Sequence, residues 1–152
     1  RVIHGQQDKI LLGNLDAERD WGYAGDYVKA MWMMLQQEKP DNYVIATGEV
    51  HTVRELVERA CLYNDIPLAW EGKGLNEVGV NIEKGKTIIK IDPGLFRPQE
   101  VHSLRGDASK ARDILGWKPT VTFERLVEMM TCADLRLVAA EEERDRYLRQ
   151  FS

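Results

Sequence analysis

The chain is short of several things, and each shortage removes a class of protein. It has two cysteines in 152 residues, Cys61 and Cys132. Two are too few for a disulfide scaffold, so a reducing, cytoplasmic setting is the expectation. No apolar run comes near the roughly 18 residues that cross a membrane. Arg1 to Ile10 hold no signal-peptide core. No Met opens the chain, and the expectation is that it starts within a longer protein. Basic charge is also short. A net charge of −4 argues against a broad nucleic-acid-binding face. With 43% hydrophobic and 30% charged residues, the composition is that of a soluble globular protein and excludes a disordered or collagen-like chain. The length is about one domain.

Chemical motifs are short too. No G-x-G-x-x-G or G-x-x-G-x-x-G phosphate loop occurs, and Gly72-Lys73-Gly74 sits in a poor context for one. No cysteine pair has metal spacing. His4, His51 and His102 lie far apart with no H-x-x-x-H pair, so no metal is expected. Ser103, Ser109 and Ser152 have ordinary surroundings and form no nucleophile elbow. No acid, base and nucleophile stand out as a set.

What is present is an α/β rhythm. Ile10-Leu11-Leu12 reads as a strand ending at Gly13-Asn14, and 14–22 as a polar loop. Ala24 to about Gln37 is helical, with Tyr27, Ala30, Met31, Met34 and Leu35 on one stripe. Tyr43-Val44-Ile45-Ala46 is an unbroken apolar run, which fits a strand buried on both faces. Thr52 and Glu55 have capping-box spacing for a helix that buries Val53, Leu56, Val57, Ala60 and Cys61. Leu68-Ala69-Trp70 reads as a short strand, 71–86 as a loop or lid, and 87–92 as a strand. Asp107 is the expected N-cap of a helix to Leu115, closed by Gly116. A last helix runs from about Phe123 to Arg149, with Leu126, Met130, Ala133 and Leu137 inward and a charged, solvated end.

Among loop residues, Arg19, Arg97 and Glu100 have chemistry worth weighing. A guanidinium fork matches phosphate oxygens. A carboxylate accepts paired bonds from vicinal ribose hydroxyls. Two arginines and a glutamate would therefore suit a nucleoside diphosphate. The plainer reading is surface ion pairing, Arg19 with Asp16 or Asp20 and Arg97 with Glu100. Spacing alone leaves both readings open. Trp21 and Trp117 read as packing anchors, and His51 as part of a strand-to-helix loop.

Several blocks of this sequence resemble the GDP-mannose 4,6-dehydratase family. They are Leu12 to Gly22 followed by Asp26-Tyr27-Val28, Tyr43 to Glu49 with His51 to Glu55, Phe96 to Val101, Gly106 to Ala111, and Leu115 to Pro119. They come in family order and cover about Arg1 to Leu137. The resemblance implies an extended short-chain dehydrogenase/reductase, an α/β enzyme made of a Rossmann sheet and a substrate-binding lobe. It implies a single C-terminal fragment over 1–152. About 15–50 would contribute to the Rossmann sheet, and 1–14 with 51–152 to the substrate lobe. The family's N-terminal half would be missing, with its NADP loop and Tyr-x-x-x-Lys pair. No Tyr here is followed by Lys at that spacing. No catalytic or cofactor-binding residue can then be carried over.

By resemblance, Arg19 and Arg97 would hold the diphosphate of GDP-mannose, Glu100 the ribose, and Asn14 would lie beside the nucleotide. NADP would belong to the whole enzyme, and the fragment alone would be inactive. The family also implies a homo-oligomer, and an orphaned edge at 43–46 would favour association. Two further readings stay open: the same lobe of another sugar-nucleotide epimerase or reductase, and a non-catalytic binding or assembly module.

Overall fold

The structure is a computed structural model that describes residues 1–101 and 103–151; His102 and Ser152 lie outside the described residues. In chain order the elements are β1 (Ile10–Leu12), β2 (Glu18–Arg19), α1 (Ala24–Leu35), β3 (His51–Thr52), α2 (Val53–Leu62), β4 (Leu68–Glu71), β5 (Val78–Asn81), β6 (Lys86–Ile91), β7 (Ser103–Leu104), α3 (Ser109–Leu115) and α4 (Phe123–Arg149). Two compact units share them. The first is Arg1–Asn14, Glu58–Pro98 and Val127–Ser152; the second is Leu15–Val57 and Gln99–Leu126.

The first unit is built on a sheet in the order β1-β6-β5-β4. Its centre is β6, where Ile88, Ile89 and Ile91 are buried. β1 joins in parallel, with Ile10 opposite Ile89 and Leu12 opposite Ile91. β5 and β4 add antiparallel. The stretch 71–86, expected as a loop or lid, therefore contains a strand, β5, between two turns. No sequence pattern marks this strand, because Val78-Gly79-Val80-Asn81 has only two aliphatic residues. Gly79 has a packing reason, since a β-carbon there would press on Ile89 and Leu68 side chains. Buried Asn81 closes the next turn, its Oδ1 accepting from the amides of Glu83 and Lys84.

The C-terminal helix forms over the expected span, but its buried stripe is rotated. Val127 and Val138 are buried, whereas Met130 and Leu137 are exposed. Apolar residues lie on several sides of this helix, so periodicity alone could not select the packed one. Its charged end is partly tied down. Glu141 Oε2 accepts from Arg1 Nη2 at 2.8 Å, and Glu142 Oε2 lies 3.1 Å from His4 Nδ1.

In the second unit a small sheet runs β3-β2-β7. β2 lies within the segment expected as a loop, preceded by buried Leu15 and Ala17. Two polar residues, Glu18 and Arg19, make the strand, and no apolar alternation marks it. Its neighbours come from distant chain: His51 opposite Arg19 on one side, Leu104 on the other. The capping box of α2 forms as expected. Thr52 Oγ1 accepts from the Glu55 amide at 3.0 Å, and Glu55 Oε2 from the Thr52 amide at 2.9 Å.

The core of this unit is Ala30, Ala108, Ala111, Leu115 and Trp117, with Tyr27, Met33, Met34, Tyr43 and Ile45 packed on it. α3 starts one residue later than the Asp107 cap implied, with Ala108 at the N-cap. Asp107 still serves the helix start, its Oδ1 accepting from the Ser109 amide at 2.9 Å. Gly116 closes the helix at φ +65. The amide of Trp117 then reaches back to the Ala111 carbonyl at 3.2 Å.

Two expectations need correction here. Met31 and Leu35 of α1 do not face the core; they are 59% and 82% exposed. Tyr43–Ala46 joins no ladder among the described residues, and Val44 is exposed rather than buried.

Candidate functional site

Arg19 ends β2, held between β3 and β7. Its Nη1 donates to the carbonyls of Glu18 at 2.7 Å and Val101 at 2.9 Å. Its Nη2 donates to Glu100 Oε1 in an ion pair. The side chains of Arg19 and Glu100 are only 29% and 14% exposed, so water screens this pair less than an open surface pair. Neither carboxylate named in the plainer reading takes Arg19. Asp16 accepts from Arg54, at 3.0 Å from Nε. Asp20 is occupied by backbone amides. One oxygen of Glu100 carries the Arg19 bond; Oε2 keeps its acceptor capacity among the described residues.

Asn14 and Arg97 form the other grouping. Asn14 Oδ1 accepts from the Arg97 amide at 2.7 Å, and Asn14 Nδ2 donates to the Arg97 carbonyl at 2.8 Å. The side-chain amide thus pairs with a backbone peptide as a strand would. It holds the Arg97 main chain while the guanidinium stays exposed, with no ion pair among the described residues. Asn14 and Arg97 belong to the first unit, Arg19 and Glu100 to the second.

Asp20, offered by the sequence only as an ion-pair partner for Arg19, instead binds loop amides and a hydroxyl. Its Oδ1 accepts from the Thr47 amide at 2.8 Å and the Thr47 hydroxyl at 2.7 Å. Its Oδ2 accepts from the Gly48 amide at 2.9 Å and the Gly106 amide at 3.4 Å. Burial pushes its pKa up, but these four bonds outweigh burial and hold the carboxyl below its ordinary 3.8. Asp20 thereby ties the end of β2 to the two loops that follow Ala46 and β7. Gly106 lets the second loop approach, because a β-carbon there would collide with Ala46 Cβ. No local signal marks this role, since the partners are loop amides far along the chain.

His51 sits at the start of α2, as expected for a strand-to-helix junction. Its ring stacks on Phe123 with centroids 3.8 Å apart and planes 5° apart. Nδ1 lies 3.3 Å from Glu55 Oε2, and buried Nε2 makes no hydrogen bond among the described residues. Trp21 and Trp117 act as anchors, donating to the carbonyls of His51 and Asp26.

No group of His, Cys, Asp and Glu among the described residues is placed to hold a metal. No described helix is long and apolar enough to cross a membrane. A dinucleotide needs a glycine cradle at a helix start. Here Gly22 and Gly25 lie against the Tyr27 and Tyr23 rings, and the start of α2 is filled by its own capping box. Neither of these two helix starts offers such a cradle.

Known structures define the class first. The fold matches UDP-glucose 4-epimerase from Thermotoga maritima at a TM-score of 0.64 and 19% identity, over 86% of this chain and 36% of that one. It matches dTDP-glucose 4,6-dehydratase from Bacillus anthracis, solved with NAD, at 0.60 and 18%, over 86% and 35%. The fold is thus one shared with about a third of each of these two α/β chains.

The family follows from sequence. The family model described as GDP-mannose 4,6 dehydratase matches residues 1–130, and this chain belongs to that family. Over 138 residues it is 54% identical to GDP-mannose 4,6 dehydratase of Drosophila melanogaster and 51% identical to that of Homo sapiens. Each match covers 91% of this chain, which spans 35% and 37% of the two relatives' lengths.

Proposed function

We propose that this chain supplies the nucleotide-sugar-binding part of an enzyme converting GDP-mannose to GDP-4-keto-6-deoxymannose. One observation carries the reading: the Arg19–Glu100 pair, half shielded, leaves Glu100 Oε2 able to accept. A carboxylate fixed in place with one open oxygen suits vicinal ribose hydroxyls. Arg19 orients Glu100, and its unused N–H groups can add to a phosphate oxygen. Arg97 offers a whole guanidinium fork to the diphosphate. Asn14 fixes the Arg97 backbone, so only the side chain has to order on binding.

NADP belongs to the full-length enzyme in this reading and is held outside this chain; no residue here moves a hydride. The full-length protein is cytoplasmic and homo-oligomeric.

The test is calorimetric titration of GDP into the chain and into Glu100→Gln. GDP should bind the wild type, and Glu100→Gln should weaken it. With a 2′,3′-dideoxyribose analogue the two should bind alike, because no hydroxyls remain. Equal GDP affinity in both proteins would remove Glu100 from the site.

A further inference from the structure

The outer side of α4 carries a repeat that the core does not use. From Val127 onward this helix belongs to the first unit, and it is anchored by buried Val127 and Val138. On another side of it Met130, Ala133, Leu137, Ala140, Arg144 and Tyr147 follow one another at alternating spacings of three and four. That is the a and d pattern of a coiled-coil seam. All of them are exposed, Met130 to 49%, Leu137 to 57% and Tyr147 to 60%. Phe151, the next position of the repeat, rests against Tyr147 with ring centroids 4.8 Å apart. The family match ends at residue 130, where this stripe begins.

The flanking charges indicate what covers the stripe. Arg136 precedes Leu137 and Glu143 precedes Arg144, which are the g positions beside such a seam. Both are exposed, and neither makes an ion pair among the described residues. About 10 Å of helix separates them, so they do not meet on their own chain. In an antiparallel pair of copies they meet twice, Arg136 of each with Glu143 of the other.

The same register sets large side chains on small ones. Leu137 lies on Ala140 of the second copy, Arg144 on Ala133, and Met130 on Tyr147 at each end. Sliding the copies by one heptad puts Glu143 on Glu143 or Arg136 on Arg136. A parallel pair puts Arg144 on Arg144. On the other flank Glu141 faces Asp134 of the second copy, and Arg1 already holds Glu141 at 2.8 Å.

We propose that this side of α4 is a homodimer interface, on which a second copy of the chain lays its own α4 antiparallel along the same seam. The helix is ordered before it associates, with Glu141 and Glu142 held by Arg1, His4 and Gln6. Little backbone ordering is then lost on docking. The seam is about 26 Å long, roughly two and a half heptads, which gives a weak and reversible dimer. The interface stands apart from nucleotide-sugar binding, so each can fail without the other.

Sedimentation velocity of the chain from about 1 to about 100 µM tests it and should show a monomer–dimer equilibrium. Leu137→Glu should raise the dissociation constant at least about tenfold. Its melting temperature should stay unchanged, because that side chain is already 57% exposed. Arg136→Glu should weaken the dimer roughly fivefold or more. Adding Glu143→Arg should recover it, since the antiparallel register re-forms both pairs. In a parallel dimer Arg136 would face Glu141, and the second substitution would recover nothing. These charges are at exposed positions, so they test the seam even if Leu137→Glu lowers stability. Ile82→Glu, in the exposed turn between β5 and β6, should leave association unchanged. A monomer throughout the concentration range would overturn the proposal. A dimer indifferent to Leu137→Glu would do so too, as would a double charge reversal that restores nothing.

Discussion

Asp26 and Thr120 lie 94 residues apart in sequence and are joined twice, hydroxyl to Oδ1 at 2.6 Å and amide to Oδ2 at 2.8 Å. The Val121 amide adds a third bond at 3.2 Å. Asp26 as a residue is 5% exposed. It stands near the start of α1, where negative charge also favours the helix dipole. One side chain thus fixes the segment between Trp117 and α4 onto the first turn of α1.

Acid should therefore unfold the second unit. Burial raises the Asp26 pKa, and the bonds from Thr120 and Val121, with the Lys29 charge, more than reverse it, so the folded value lies below 3.8. Asp20 is shifted the same way. A depressed folded pKa gives stability that is complete above the ordinary value and is lost as pH falls through the folded one. Melting temperature should hold from pH 7 to 5 and drop below about pH 4. Asp26→Asn should be less stable at pH 7 and show a shallower drop.

Removing the Asp20 acceptors should loosen both glycine loops. Asp20→Ala should cost about 2 kcal/mol, within the range for hydrogen bonds to a charged group. Amide resonances of Gly48 and Gly106 should move together. If only Gly48 shifts, the 3.4 Å bond to Gly106 contributes nothing.

Gly106→Ala should destabilise by about 1–3 kcal/mol through overpacking against Ala46. Ala46→Gly in the same chain removes the colliding methyl and should restore part of the loss. Denaturant melts of the single and double variants measure the coupling. Simple additivity would show that the two residues do not press on each other.

Arg97→Ala in a restored full-length enzyme should weaken GDP binding roughly ten- to hundredfold, from the loss of charge-assisted bonds. Arg97→Lys should recover only part, since a point charge cannot reproduce the fork. Asn14→Ala should act through the Arg97 backbone and give a smaller loss. Wild-type affinity in Arg97→Ala would assign that side chain to solvent.

The chain alone should form no 4-keto sugar from GDP-mannose and NADP, because hydride chemistry is the cofactor's and needs a site that holds it. Product formed in proportion to chain concentration would count against this.

Periodicity and capping chemistry determined the helices, because these are local. Residues three or four apart meet on a helix whatever surrounds it, and Thr52 finds Glu55 within one turn. Hence α2, α3 and α4 fall close to their expected spans. Runs of isoleucine did the same for β6. Tertiary structure decided what depends on distant partners. β2 is a strand only because His51 and Leu104 arrive on either side of Arg19. β5 survives a glycine because Ile89 fills the space. The inward side of α4 was chosen by packing from several apolar sides. In the site, the guanidinium and carboxylate types of Arg19, Arg97 and Glu100 could be read from the chain. That Arg19 would take Glu100, and that Asn14 would take the Arg97 backbone, could not, since each bond joins residues more than 80 positions apart.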